Sequence, residues 1–130
     1  MNLTPVKIPK LVKAMFPSFV WNIDIDEKTL YLTFDDGPTP EITDWVLNCL
    51  NDYNAKATFF CIGKNIEKHP EIFQRIIDNS HAIGNHTFNH LEGWKTKSTD
   101  YIKDVEKASK YISSKLFRPP YGRIKPKQAK

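Results

Sequence analysis

Cysteine is scarce in this chain: Cys49 and Cys61 are the only two in 130 residues, too few for a disulfide framework and not spaced as a Cys-x-x-Cys metal pair. Both read as small buried hydrophobes. Long apolar runs are missing as well. The longest, Ala14 to Trp21, is interrupted by Pro17 and Ser18 and falls far short of the roughly 20 residues that a membrane-spanning helix needs. No transmembrane segment is read. The N-terminus also lacks the uninterrupted apolar core of a secretory signal, because Lys7, Lys10 and Lys13 are spread through it, so the compartment stays open. No repeat, low-complexity segment or linker divides the chain.

What is present is an ordinary soluble composition, 40% apolar, 26% charged and 12% aromatic. The length allows one core that removes roughly two-thirds of the unfolded surface from water. Charge is unevenly placed: eleven basic and three acidic residues from Lys95 onward give +8, against −4 for the rest. Between Lys95 and Lys115 the basic positions are interleaved with apolar ones at helical spacing, and no aromatic stacking run accompanies them. That pattern is a solvated helix face, and it argues against nucleic acid as a partner.

Strand and helix signals alternate. Thr29 to Phe34 is β-rich and stops at Asp35-Asp36-Gly37-Pro38, a turn sequence. Thr39 as N-cap and Pro40 at the first helical position predict a helix that turns Val46, Leu47 and Leu50 inward, with Trp45 in the core beside them. Ala57 to Ile62 predicts a second, buried strand, and His69-Pro70-Glu71 opens a helix whose apolar face is Ile72, Phe73, Ile76 and Ile77. Ala82 to Gly84 predicts a third strand. Ser98 or Thr99 then caps a long helix carrying Ile102, Val105, Ile112 and Leu116, and a fourth strand precedes Arg118. Alternating elements of this kind argue for parallel βα units, either a barrel or an open doubly wound sheet, with the site built by loops after the strand C-termini.

The chemistry-bearing residues fall in those loops. His86 and His90 are four apart, so a tight turn or helix lets both imidazoles reach one cation. Asp35 and Asp36 are adjacent, and on a regular strand they would point to opposite faces; the turn at Gly37 and Pro38 must bend the chain for both to serve one site. Each pattern alone is commonplace, since Asp-Asp-Gly-Pro is usually only a turn. Their joint placement at one sheet edge is what points to a site. Two histidines and one carboxylate suit a catalytic zinc, and non-haem iron uses the same set. The spare carboxylate favours hydrolysis, where a water must lose a proton.

Thr33-Phe34-Asp35-Asp36-Gly37-Pro38, His86-Thr87-Phe88-Asn89-His90 and Arg118-Pro119-Pro120-Tyr121 closely resemble the first three motifs of the polysaccharide deacetylases, carbohydrate esterase family 4, with its NodB-homology domain. The resemblance covers roughly Thr29 to Gly122. It implies an α/β fold, a distorted (β/α) barrel of which about the first half is here, and divalent-metal-dependent removal of acetyl groups from N-acetylated or O-acetylated sugars. Carried over by position, Asp35 is the general base, and Asp36, His86 and His90 hold the metal. Zinc is the first choice, with cobalt, nickel, manganese and iron as alternatives. Thr87 steadies the loop between the histidines and Arg118 holds the base. Tyr121 donates its backbone amide to the oxyanion from a turn stiffened by Pro120, the two bordering the substrate. The partner implied is an acetylated sugar polymer or oligosaccharide, chitin-like or peptidoglycan.

Two further family motifs are missing, among them the Leu-x-His that supplies the general acid. The other histidines, His69 and His81, precede the metal pair and read as structural. The expectation is therefore a C-terminally incomplete deacetylase domain at 29–130, prone to self-association, with residues 1–28 an extension packing on it. A non-catalytic carbohydrate-binding remnant is the rival reading, and a non-haem iron protein a third. Trp94, soon after His90, is the tryptophan expected nearest the site.

Overall fold

The β-rich run before Asp35 forms a shorter strand than its composition suggests. In the computed structural model, which describes residues 7–129, β1 spans Thr33–Asp35, β2 Thr58–Cys61 and β3 Ala82–Asn85. Ahead of Thr33 a single bond, from the Thr58 N–H to the Leu32 carbonyl at 3.0 Å, continues the ladder. The three strands are parallel in the order β1-β2-β3, registered Thr33 to Thr58 and Thr58 to Ala82. Phe59, Phe60 and Cys61 of central β2 are all buried, as a parallel strand covered on both faces requires.

The chain divides into two units, Met1–Leu30 and Tyr31–Lys130. In the first, α1 (Lys10–Met15) buries no residue. A local aromatic cluster follows it: Phe16 stacks on Phe19 at 5.5 Å, Phe19 meets Trp21 at 5.9 Å, and the Trp21 indole N–H donates to the Phe16 carbonyl.

The second unit holds the sheet and four helices: α2 (Ile42–Asp52), α3 (Gly63–Lys68), α4 (Pro70–Asp78) and α5 (Ser98–Ser109). Val46, Leu47 and Leu50 of α2 join Phe73 and Ile76 of α4, Phe59 and Cys61 of β2, and Ile112 in one apolar core. Each such side chain contributes on the order of 1.5–3 kcal/mol by leaving water. Burial also pushes the Cys61 thiol up to about 12, leaving it an inert hydrophobe.

Several expectations need correction. The helix expected from Pro40 begins at Ile42, because Glu41 adopts φ 64° and cannot be helical; Thr39 donates its N–H to the Thr43 hydroxyl at 2.8 Å instead of capping. Lys97, not Ser98 or Thr99, occupies the N-cap of α5, with no side-chain cap. Trp45 is 66% exposed, since the buried stripe of α2 runs through Thr43, Val46, Leu47 and Leu50 and leaves position 45 outside it. Ile77, Ile102 and Leu116 are likewise exposed. The fourth strand shrinks to one bridge, Asn85 to Phe117, cut short by Pro119 and Pro120, which have no N–H to extend a ladder. Helix α3 had no sequence signal; it opens at Gly63, where an added Cβ would lie 2.6 Å from the Phe88 ring. Among the described residues no helix is long and apolar enough to cross a membrane.

Candidate metal centre and active site

Asp35 closes β1, and Asp36 turns away from it at φ 69°, which brings two adjacent carboxylates to one hollow. The turn is tied down from α3: Asn65 donates its side-chain amide to the Asp36 carbonyl at 2.7 Å, and Ile62 donates its N–H to the Gly37 carbonyl at 2.9 Å. After β3 the chain doubles back through His86-Thr87-Phe88-Asn89-His90, with Thr87 at φ 66° and His90 at φ 58°. A β-branched residue in that region is an outlier costing on the order of 1–3 kcal/mol, and persists only where its surroundings over-determine it.

The two loops meet. Asp36 Oδ1 lies 3.3 Å from His86 Nε2 and 3.1 Å from His90 Nε2, and the three donor atoms all lie within 4.8 Å of one another. His86 Nδ1 sits 2.7 Å from the Arg118 carbonyl, which can only accept, so Nδ1 carries the proton. Burial holds the His86 pKa below its ordinary value, outweighing the Arg118 carbonyl and the neighbouring carboxylates, so Nε2 is left as a lone pair. A lone pair facing a carboxylate oxygen is a pair of acceptors without a donor. A divalent cation resolves that conflict, and the donor set suits one with open positions.

Arg118 serves both sides of the site. Its Nη1 donates to Asp35 Oδ1 at 2.8 Å and to the Thr33 hydroxyl at 2.9 Å, and its guanidinium lies 4.1 Å over the Phe60 ring. Tyr121, at φ 59°, packs its ring 4.8 Å from that of His90. Buried Pro120 precedes it in a 3₁₀ turn, Pro120–Gly122. Gly122 and Arg123 donate back to the Pro119 and Pro120 carbonyls, whereas the Tyr121 N–H meets no acceptor among the described residues. The resulting open hollow of about 500 Å³ is lined by both aspartates, both histidines, Arg118 and Tyr121.

Of the residues read from the sequence, these six converge. Thr87 lies between the histidines, fully buried, but its hydroxyl has no partner among the described residues; the loop is held instead by Asn85 and Asp104, whose side chains take the N–H groups of Thr87, Phe88 and Asn89. Trp94 does not line the hollow, and its indole N–H donates to the Ile124 carbonyl. Thr33, Asn65, Asn85 and Asp104 were missed as supports. For Asp104 a signal existed, an acid within the inward stripe Tyr101, Asp104, Ala108 of α5. His81 is structural, as expected: its Nδ1 accepts the Ala57 N–H.

A model of the polysaccharide deacetylase family matches residues 22–130. Over 105 residues the chain is 42% identical to a peptidoglycan-N-acetylglucosamine deacetylase of Bacillus cereus, an overlap of 76% of this chain and 38% of that protein. It is 38% identical over 104 residues to a chitooligosaccharide deacetylase of Azorhizobium caulinodans, covering 75% of this chain and 50% of that one. The chain thus spans about half or less of the length of these curated relatives. Among solved structures, the peptidoglycan deacetylase PdaC of Bacillus subtilis superposes with a TM-score of 0.74 at 30% identity, over 82% of this chain and 56% of that one. With the family match running over most of its length and the fold shared across that overlap, the chain belongs to the polysaccharide deacetylase family, carbohydrate esterase family 4.

Proposed function

We propose that this chain carries the metal-binding half of a hydrolase that removes acetyl groups from N-acetylated sugars of peptidoglycan or chitin-like material. The observation that carries the reading is the convergence of Asp36, His86 and His90 opposite the Asp35–Arg118 pair in one hollow. Asp36, His86 and His90 hold a divalent cation, zinc by the chemistry of two imidazoles and a carboxylate. A cation there supplies Lewis acidity, which polarises an acetyl carbonyl and makes water more acidic.

The chain's own groups do the rest. Arg118 holds Asp35 in place, so that its carboxylate takes the proton of the attacking water. The uncommitted Tyr121 N–H, presented by the turn at Pro120, donates to the oxygen on which negative charge develops. The Tyr121 ring borders the sugar. Neither His69 nor His81 lines the hollow, which favours a second reading for the chain by itself, sugar binding with little turnover for want of a group to protonate the leaving amine.

Acetate release from N-acetylated chito-oligosaccharides in the presence of zinc separates the two. The enzymatic reading predicts release that falls by about 10²–10⁴-fold in Asp35→Asn, the range for loss of a general base. Equal rates for the two proteins would refute Asp35 as the base. Sugar binding with no acetate from either would establish the binding reading.

A further inference from the structure

We propose that Asp104 is a positioning residue for the histidine donors, holding the chain between His86 and His90 in the conformation that aims both imidazoles at Asp36. The inference rests on reading those three residues as a cation site. Asp104 lies in α5 between Tyr101 and Ala108, on the stripe that faces inward, and is itself buried. A buried acid is costly unless its oxygens are filled. Here they are filled from one short stretch of chain. Oδ2 accepts the N–H groups of Phe88 and Asn89, both at 2.9 Å, and Oδ1 accepts the Asn89 side-chain amide at 2.5 Å. No ion pair joins Asp104 to a basic side chain among the described residues.

The loop is gripped from two directions. Its carbonyls at Thr87 and Phe88 accept the N–H groups of Gly63 and Lys64, each at 3.0 Å, from the start of α3. Its N–H groups face α5: that of Thr87 reaches Asn85 Oδ1 at 2.8 Å, and Asn85 is tied to the Val105 carbonyl and the Ser109 hydroxyl, each at 3.0 Å. Thr87 and His90 both hold positive φ, and for β-branched Thr87 that conformation has no local reason to persist. The restraint must come from the flanks, and Asp104 is the one anionic acceptor among them, making charge-assisted bonds to consecutive amides. Its contact is with the residues that set the histidines' direction, and with neither the reacting atoms nor the cation.

Cobalt(II) titration of the full chain, followed by visible absorption, tests this, with the folded fraction followed by circular dichroism. Asp104→Asn keeps one carbonyl oxygen for the Phe88 and Asn89 N–H groups but removes the charge that strengthens those bonds. The folded variant is expected to bind cobalt about tenfold more weakly, as loss of an orienting partner behind metal ligands does. Ile76→Val, a core change away from the loop, lowers stability while leaving affinity intact. Exposed Asn89→Ala removes only the Oδ1 bond and decides the matter should Asp104→Asn not fold; its expected loss is about threefold, the value of one hydrogen bond. Unchanged affinity in folded Asp104→Asn, or in Asn89→Ala where Asp104→Asn is unfolded, overturns the proposal. Failure of the unsubstituted chain to bind cobalt overturns the cation-site reading instead.

Discussion

The two loops that meet at the site are built differently. The histidine loop is an interior object: the His86 side chain is 4% exposed, and the loop's amides end on side chains of β3 and α5. The aspartate loop is a surface object, with the Asp36 side chain 64% exposed and Asp35 steadied by a partly exposed arginine. One half of the donor set is preorganised by burial, and the other remains solvated and adjustable. Burial is also what keeps His86 neutral and able to offer a lone pair.

Substitutions that load one side alone sharpen this contrast. After Asp35→Asn, the largest effect is expected from Arg118→Lys, which loses the shared donation to Asp35 and Thr33 and the planar contact with Phe60 but keeps the main-chain carbonyl that orients His86. Acetate release is predicted to fall about 10²-fold with zinc affinity nearly unchanged; a parallel loss of affinity, read by calorimetric titration, would break the division of labour. Next comes Gly63→Ala, which pushes a methyl toward the Phe88 ring and the Ala108 backbone beneath the histidine loop. Overpacking there should cost about 1–3 kcal/mol in urea unfolding, and a neutral result would mean the interior loop is softer than its contacts imply.

The smallest effect is on pH dependence. Burial lowers the folded-state pKa of His81, helped by Lys56, and that of His86. The unfolded chain therefore binds protons on these imidazoles before the folded chain does. Their contribution to stability is fully present above the ordinary value of 6.5 and is lost as pH falls through the lowered folded values. Urea midpoints of the metal-free protein should drop below that pH, and less steeply in His81→Gln. A midpoint that rises on acidification would contradict the sign.

Much of this was legible in the residues because the strands announce their ends. Asp36-Gly37-Pro38 cannot continue β1 past Asp35, Val46, Leu47 and Leu50 are spaced for one helix face, and the three parallel strands follow from the alternation. What was hidden depends on backbone conformations that side-chain type does not declare. Positive φ at Glu41 displaced the start of α2, and positive φ at Asp36, Thr87 and His90 is set by distant partners on α3 and α5. The short fourth strand was overestimated because Leu116 and Phe117 look apolar enough for a core, yet the prolines after them stop the ladder.

On the proposed reading Asp36, His86 and His90 bind one cation together. X-ray absorption at the zinc edge of the chain loaded with one equivalent tests it most directly. The expected result is a shell of two imidazole nitrogens with oxygen donors at about 2.0–2.2 Å, lost on His86→Ala. A zinc shell with a single imidazole or with thiolate sulfur, or a shell unchanged by that substitution, would contradict it.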